Sequence, residues 1–226
     1  MKFFCIEELL YYKYKHRTIE MNSFNCDENY MNTTAQQNNN ENHYVLGDNE
    51  EGPRVKIQVT DENSTTFDVP KKWVDMCGLI SSMLEENDED EDEENTVIPL
   101  PNITSKDTMK KVLEYCEYHH NNKADEIPKP IMGTLGEVLC DWDKEYIKLK
   151  NDKEVTLERE VLLDLIQAAN YLVCDDLLHL CCATVSQYTK GKSVEELREF
   201  FGVENDFTPE EEERIREENK WVEEAQ

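Results

Sequence analysis

Positive charge is scarce in this chain. Its 226 residues carry 24 Lys and Arg against 51 Asp and Glu, a formal net charge of −27. Affinity for nucleic acid rests largely on Lys and Arg displacing counterions, and anionic membrane surfaces select the same residues. Neither nucleic acid nor a membrane is therefore expected as a partner. Glycine is sparse too: seven residues, dispersed, with Gly191-Lys192-Ser193 lacking the upstream glycine of a phosphate-binding loop. There is no G-x-S-x-G elbow for a serine hydrolase and no paired C-x-x-C for zinc or redox chemistry. No apolar run approaches the roughly 18 residues that argue for a membrane span. The apolar start MKFFCIEELLYYKYKHR is interrupted by Glu7 and Glu8 and, Lys2 apart, is followed by its cations, so it does not read as a secretion signal.

Eight cysteines are present, but without framework spacing: Cys5, Cys26, Cys77, Cys116, Cys140, Cys174, Cys181 and Cys182. Cys174, His179, Cys181 and Cys182 are the nearest approach to a metal cluster, with Cys116, His119 and His120 a second. Adjacent residues on a helix point about 100° apart, so Cys181 and Cys182 cannot both face one ion. Buried, reduced thiols are the expectation, with no metal, no cofactor and residence in cytoplasm and nucleus. Acids are so abundant that pairs of them carry no catalytic signal. Nine of the ten residues 85–94 are acidic, which reads as a solvated loop over about 85–95.

Residues 1–52 form an extension in which eight of the 21 residues 22–42 are Asn and apolar residues keep no period. Such composition buries too little to offset its ordering entropy, so no core contribution is expected from it. From Arg54 the texture changes. RVKIQV alternates, a polar turn follows, and TFDV completes a predicted hairpin; VIPL restores a strand. Thr104 with Asp107 suggests a cap for a helix whose Met109, Val112, Leu113 and Cys116 share one face. Pro128, Pro130, Gly133 and Gly136 mark residues 121–139 as a linker.

The last third is the most regular. VLLDLIQAANYL (161–172) is apolar nearly all round, as for a helix at the centre of an assembly. DDLLHLCCATVSQYTK follows. Ser193 with Glu196, and Thr208-Pro209 with Glu211, are capping signatures for two more helices, carrying Leu197, Phe200 and Phe201 and then Ile215, Trp221 and Val222. Aromatic residues at such density complete a core or anchor a partner.

Seven ordered blocks, ISSMLEE before the acidic run, VIPLPNI, KKVLEYCEYHH, WDKEYIK, LIQAANYL, KGKS–EELR and NDFTPEEEERIREENKW, together resemble the S-phase kinase-associated protein 1 family, the adaptors of SCF ubiquitin ligases. The resemblance implies an α/β (α+β) fold: a BTB/POZ-like domain with a small sheet over residues 53–150, extended by a helical region over 151–226. It implies a non-catalytic adaptor bridging a cullin scaffold to F-box proteins. With no F-box bound, an exposed apolar C-terminal face is expected either to drive homodimerisation or to stay partly disordered until a partner arrives. Asn170 and Tyr171 match the cullin-contacting pair. Leu162, Ile166, Leu178, Val185, Leu197, Phe201 and Trp221 match apolar positions that meet the F-box. Departures from the family pattern are the extension 1–52, a charged insertion over 149–160 with seven charges in twelve residues, and Val194 where some members carry a hydroxylatable proline. An adaptor of the elongin C type and an acidic chaperone for basic proteins are the competing readings. The length of chain beyond the BTB region argues against the first, and retention of binding in salt separates the second.

Overall fold

Alternation along RVKIQV becomes a strand because every second side chain finds the same apolar layer. The computed structural model describes residues 36–37, 42–47, 52–87 and 97–223. In β3 (Arg54–Val59) the residues Val55, Ile57 and Val59 point inward, and in β4 (Thr66–Pro70) Phe67 and Val69 meet them across an antiparallel register that sets Ile57 opposite Phe67. Asp61 closes the turn between them, accepting from Thr65 N at 2.7 Å and from Thr65 Oγ1 at 2.5 Å. β5 (Val97–Leu100) adds in parallel to β3.

On the other edge lie β1 (Gln36–Gln37) and β2 (His43–Val45), giving the order β1-β2-β4-β3-β5. This corrects the expectation that nothing before residue 53 belongs to the domain. β2 runs parallel to β4, Tyr44 stacks on Phe67 at 5.4 Å, and Arg54 donates to the carbonyls of Leu46 (2.7 Å) and Gly47 (3.2 Å) while pairing with Asp68 at 2.6 Å. A short apolar strand embedded in polar sequence carries too few residues to show a period. The expected lack of core contribution elsewhere in 1–52 falls on residues outside those described, as does most of the acidic run. Of that run, Glu85 and Glu86 belong to the last turn of a helix rather than to a loop.

The helices are α1 (Lys71–Val74), α2 (Gly78–Asn87), α3 (Lys106–His119), α4 (Asp141–Tyr146), α5 (Arg159–Leu172), α6 (Asp175–Thr189), α7 (Val194–Phe201) and α8 (Pro209–Glu223). The cap of α3 is Ser105, not Thr104: its Oγ accepts from Thr108 N at 3.3 Å. The predicted face Met109, Val112, Leu113 and Cys116 is buried as a unit. Between α3 and α4 the Pro- and Gly-bearing segment stays irregular except for a 3-10 turn at Leu135–Glu137. Helix α5 packs against α2, α3 and α6 and buries Leu162, Leu165, Ile166, Ala168, Ala169 and Leu172. No helix among the described residues is long and apolar enough to cross a membrane.

The charged stretch after residue 148 is a hairpin, β6 (Leu149–Lys150) and β7 (Glu154–Val155). In the three-residue connection 151–153, Asn151 and Asp152 both take positive φ, the mirror-image turn conformation, and Lys153 N donates to Lys150 O at 3.1 Å. The tip docks: Gly136 N donates to Asp152 O at 3.3 Å and Gln187 Nε2 to Lys153 O at 3.0 Å. A Cβ on Gly136 would sit 2.6 Å from Asp152 Cα, so the hairpin depends on glycine there.

Candidate functional site

Two surfaces and one interior cluster concentrate the residues singled out by the sequence. The first surface is the C-terminal helical end. Ser193 Oγ accepts from Glu196 N at 3.2 Å while Ser193 N donates to Glu196 Oε2 at 2.8 Å, so the capping box that opens α7 forms as predicted. Gly202 closes α7 with φ +58, its N–H bonding to Glu199 O and that of Val203 to Arg198 O, a Schellman end that needs the left-handed residue. Arg159 Nη1 donates to Glu199 O at 2.8 Å, and Phe200 stacks on Tyr188 at 4.1 Å. Those contacts fix α7 on α5 and α6 and bury Phe200.

Fixing Phe200 inward turns the neighbouring apolar residues out. Val194 is 59% exposed and Phe207 48%, with Val203 and Ile215 also exposed and Leu197 and Phe201 half-buried. Helix α8 starts from Thr208, whose N donates to Glu211 Oε2 at 2.9 Å, the second predicted cap. It is tied to α7 by polar contacts: Asn205 Nδ2 to Glu212 Oε1 at 2.9 Å and Arg198 Nη1 to the same oxygen at 3.4 Å. Glu212 apart, its side chains from Pro209 to Lys220 are exposed.

Burial divides the seven apolar positions that the resemblance treats alike. Leu162 (0% exposed), Ile166 (4%) and Val185 (2%) are sealed in the chain's own core, so none of them offers a surface to a partner in this state. Leu178, Leu197 and Phe201 are half-buried and accessible. Trp221 falls within α8 by its backbone. Exposed Val194, Val203 and Phe207 join this face. The aromatic content of the last third singles out Phe207 with Phe200, Phe201 and Trp221, whereas nothing marks Val203; both Val203 and Phe207 sit in the loop after α7.

The second surface is the end of α5. Asn170 is exposed and Tyr171 half-exposed. The helix stops at Val173, which takes φ +55 and ψ +48 and is 52% exposed. Its N–H bonds to Asn170 O at 3.2 Å and that of Cys174 to Ala169 O at 2.9 Å, the same Schellman ending with a β-branched residue where glycine is usual. Left-handed backbone at an exposed valine is strained, and such strain gathers where a surface is held in one shape for use. Gly78 N donates to Val173 O at 3.2 Å and holds the turn from the other side.

Beneath that turn lies the interior cluster. Neither metal grouping suggested by the sequence assembles: His179 meets Lys129, and His119 is taken by Asp143. Instead Cys77, Cys116 and Cys174, all free and buried, bring their sulfurs within 4.8 Å of one another. Only folding shows this, because the three lie on separate segments. Nearby, His119 Nε2 lies 3.0 Å from Asp143 Oδ1 and its Nδ1 2.8 Å from Asn122 O. Burial opposes a charged ring, but two acceptors facing both nitrogens outweigh it and raise the ring above its ordinary value. Among the described residues nothing pairs a nucleophile with a base in an open cleft.

A small mixed sheet with helices against it, carrying a capped helical end that leaves apolar side chains in solvent, defines a POZ-type interaction module with a helical extension. The chain belongs to the Skp1 family. Its tetramerisation domain pattern matches residues 53–121 and its dimerisation domain pattern residues 175–222. The S-phase kinase-associated protein 1 homolog of Tetrahymena thermophila is 39% identical over 172 residues, covering 76% of this chain and 96% of that one. The SCF ubiquitin ligase complex protein SKP1a of Dictyostelium discoideum is 37% identical over 169 residues, 75% and 95% of the two chains. The suppressor of kinetochore protein 1 of Schizosaccharomyces pombe is 36% identical over 170 residues, 74% and 98%.

Proposed function

We propose that this chain is the adaptor subunit of an SCF-type ubiquitin ligase, holding F-box receptors on its C-terminal helices and a cullin scaffold on the end of α5. The observation that carries the reading is the apolar face of Val194, Leu197, Phe201, Val203 and Phe207, left open on a chain of net charge −27. An F-box is a small apolar helical unit, and a capped α7 offers it a ready surface without prior folding. The same face covers itself in a homodimer when no receptor is present. The role is non-catalytic: the chain positions proteins for modification by a ubiquitin-charged enzyme brought by others, in cytoplasm and nucleus. Related proteins bear names as subunits of such complexes, and the family membership supports the assignment.

Asn170, Tyr171 and the strained Val173 form the cullin-facing surface in this reading, on the opposite end of α5 from Arg159, which anchors α7. One helix thereby connects both partners. The test is titration of a purified F-box helical domain and a cullin N-terminal domain against the full chain. Leu197→Ala with Phe201→Ala weakens the F-box by about 2 kcal/mol, the loss typical of anchor truncation, and leaves the cullin unaffected. Asn170→Lys with Tyr171→Lys does the reverse, since new charges at a packed interface are costly to desolvate. Wild-type affinity for both partners in both variants, with circular dichroism unchanged, removes the proposal. Loss of F-box binding at moderate salt in the wild type would instead favour recognition of basic partners by charge.

A further inference from the structure

The three buried sulfurs of Cys77, Cys116 and Cys174 are not used by either surface assigned above. Cys77 lies at 0% exposure, Cys116 at 0% and Cys174 at 1%. The Cys77 and Cys116 sulfurs are 3.9 Å apart, and all three fall within 4.8 Å of one another. Bonds of about 2.3 Å hold three sulfurs about 4 Å apart around a planar centre and about 3.5 Å apart around a pyramidal one. The Cys77–Cys116 separation of 3.9 Å therefore needs to close by only a few tenths of an ångström for a pyramidal site. Each sulfur comes from a different segment: Cys77 from the start of α2, where its carbonyl accepts Ser81 N at 3.0 Å; Cys116 from the last turn of α3; and Cys174 from the cap of α6.

We propose that Cys77, Cys116 and Cys174 form a three-thiol site for a thiophilic ion in threefold sulfur coordination, with the trivalent arsenic of arsenite as the species that fits it best. Three thiolates around a monovalent or divalent ion leave net negative charge in a sealed interior, which is heavily penalised. Three thiolates on As(III) are neutral. Tetrahedral zinc needs a fourth ligand, and among the described residues this cluster supplies three. His119, one turn beyond Cys116, is already committed at both nitrogens to Asp143 and Asn122.

The binding step is a condensation without change of oxidation state. As(OH)3 loses three hydroxyls as water and gains three As–S bonds; the three protons come from the Cys77, Cys116 and Cys174 thiols. Arsenite is small and uncharged, so a local opening of the α5–α6 turn admits it. Once bound, it ties α2, α3 and α6 together under Val173.

The experiment uses the full chain, reduced, with arsenite. Native mass spectrometry gives one adduct, the mass of one arsenic less three protons, and arsenic X-ray absorption on the wild-type adduct gives three sulfur neighbours. Cys174→Ser lowers arsenite affinity at least about 100-fold, beyond what losing a supporting contact around an ion does. Cys182→Ser and Cys140→Ser leave it unchanged. Two sulfurs and one oxygen around arsenic, no adduct, or an adduct that survives Cys174→Ser overturns the site. The absorption measurement needs no variant, so misfolding of Cys174→Ser does not blunt it. F-box and cullin binding by the arsenic-free chain are a separate readout, so failure of one reading does not touch the other.

Discussion

Removing the carboxylate of Asp143 should be among the most damaging single changes in the chain. His119 and Asp143 have side chains only 2% and 3% exposed and meet at 3.0 Å. At that distance, with an effective dielectric constant of about 20, opposite charges attract by about 5 kcal/mol. Desolvation offsets most of that gain in the intact pair, but it is not refunded when one partner is lost: an unpaired buried charge costs about 3–5 kcal/mol. Asp143 also accepts from the Cys140 thiol at 3.3 Å, and Trp142 beside it stacks on Tyr118 at 4.2 Å, so the pair locks α4 onto α3. Urea denaturation of Asp143→Ala should therefore show a loss of about 3–5 kcal/mol, a large part of the 5–15 kcal/mol typical of whole domains. Replacing both residues by leucine should recover much of it, because apolar pairs of similar volume replace buried ion pairs with little loss. The pH dependence has a definite sign. With the folded ring's value raised above the unfolded one, the native state holds the extra proton. Its stabilisation is complete below the unfolded value of about 6.5 and drains away as pH rises through the folded value. Wild type should lose stability across that window, and the double leucine variant should not share this decline. A loss under about 1 kcal/mol in Asp143→Ala, or an unchanged slope in the double variant, would refute an ionised pair.

Val173→Gly should relieve left-handed strain worth about 1–2 kcal/mol, less what the Val173 side chain contributes where it faces the space beside Gly78. A small rise in melting temperature with weaker cullin binding is the expected combination, and a clear destabilisation would show that the contact outweighs the strain. Truncations ending at residues 41 and 52 should differ. Removing 1–52 takes away β2, the Tyr44–Phe67 stack and two acceptors of Arg54, at about 2 kcal/mol or more from an aromatic pair and several hydrogen bonds. Equal melting temperatures for the two truncated chains would mean that the strand contributes nothing.

Much of this protein was legible one segment at a time. Alternation in RVKIQV, the period through Met109 and Cys116, and the Ser193–Glu196 and Thr208–Glu211 boxes are local patterns, and backbone geometry converts them directly into elements. The seven blocks ordered along the chain pointed to its family, since such order survives without knowledge of contacts. What stayed hidden depends on which distant residues meet. His43–Val45 became a strand because β4 had a free edge to receive it, not because three residues carry a period. Asn151-Asp152 made a hairpin that docks only because Gly136 leaves room. Leu162, Ile166 and Val185 looked equivalent to Leu197 and Phe201 because apolarity alone does not say which neighbour covers a side chain. Phe200 turned inward onto Tyr188, while Phe201 stayed half-buried and Phe207 exposed. The convergence of Cys77, Cys116 and Cys174 is the extreme case. No spacing announces it, because three chain segments had first to pack before their sulfurs shared one interior point.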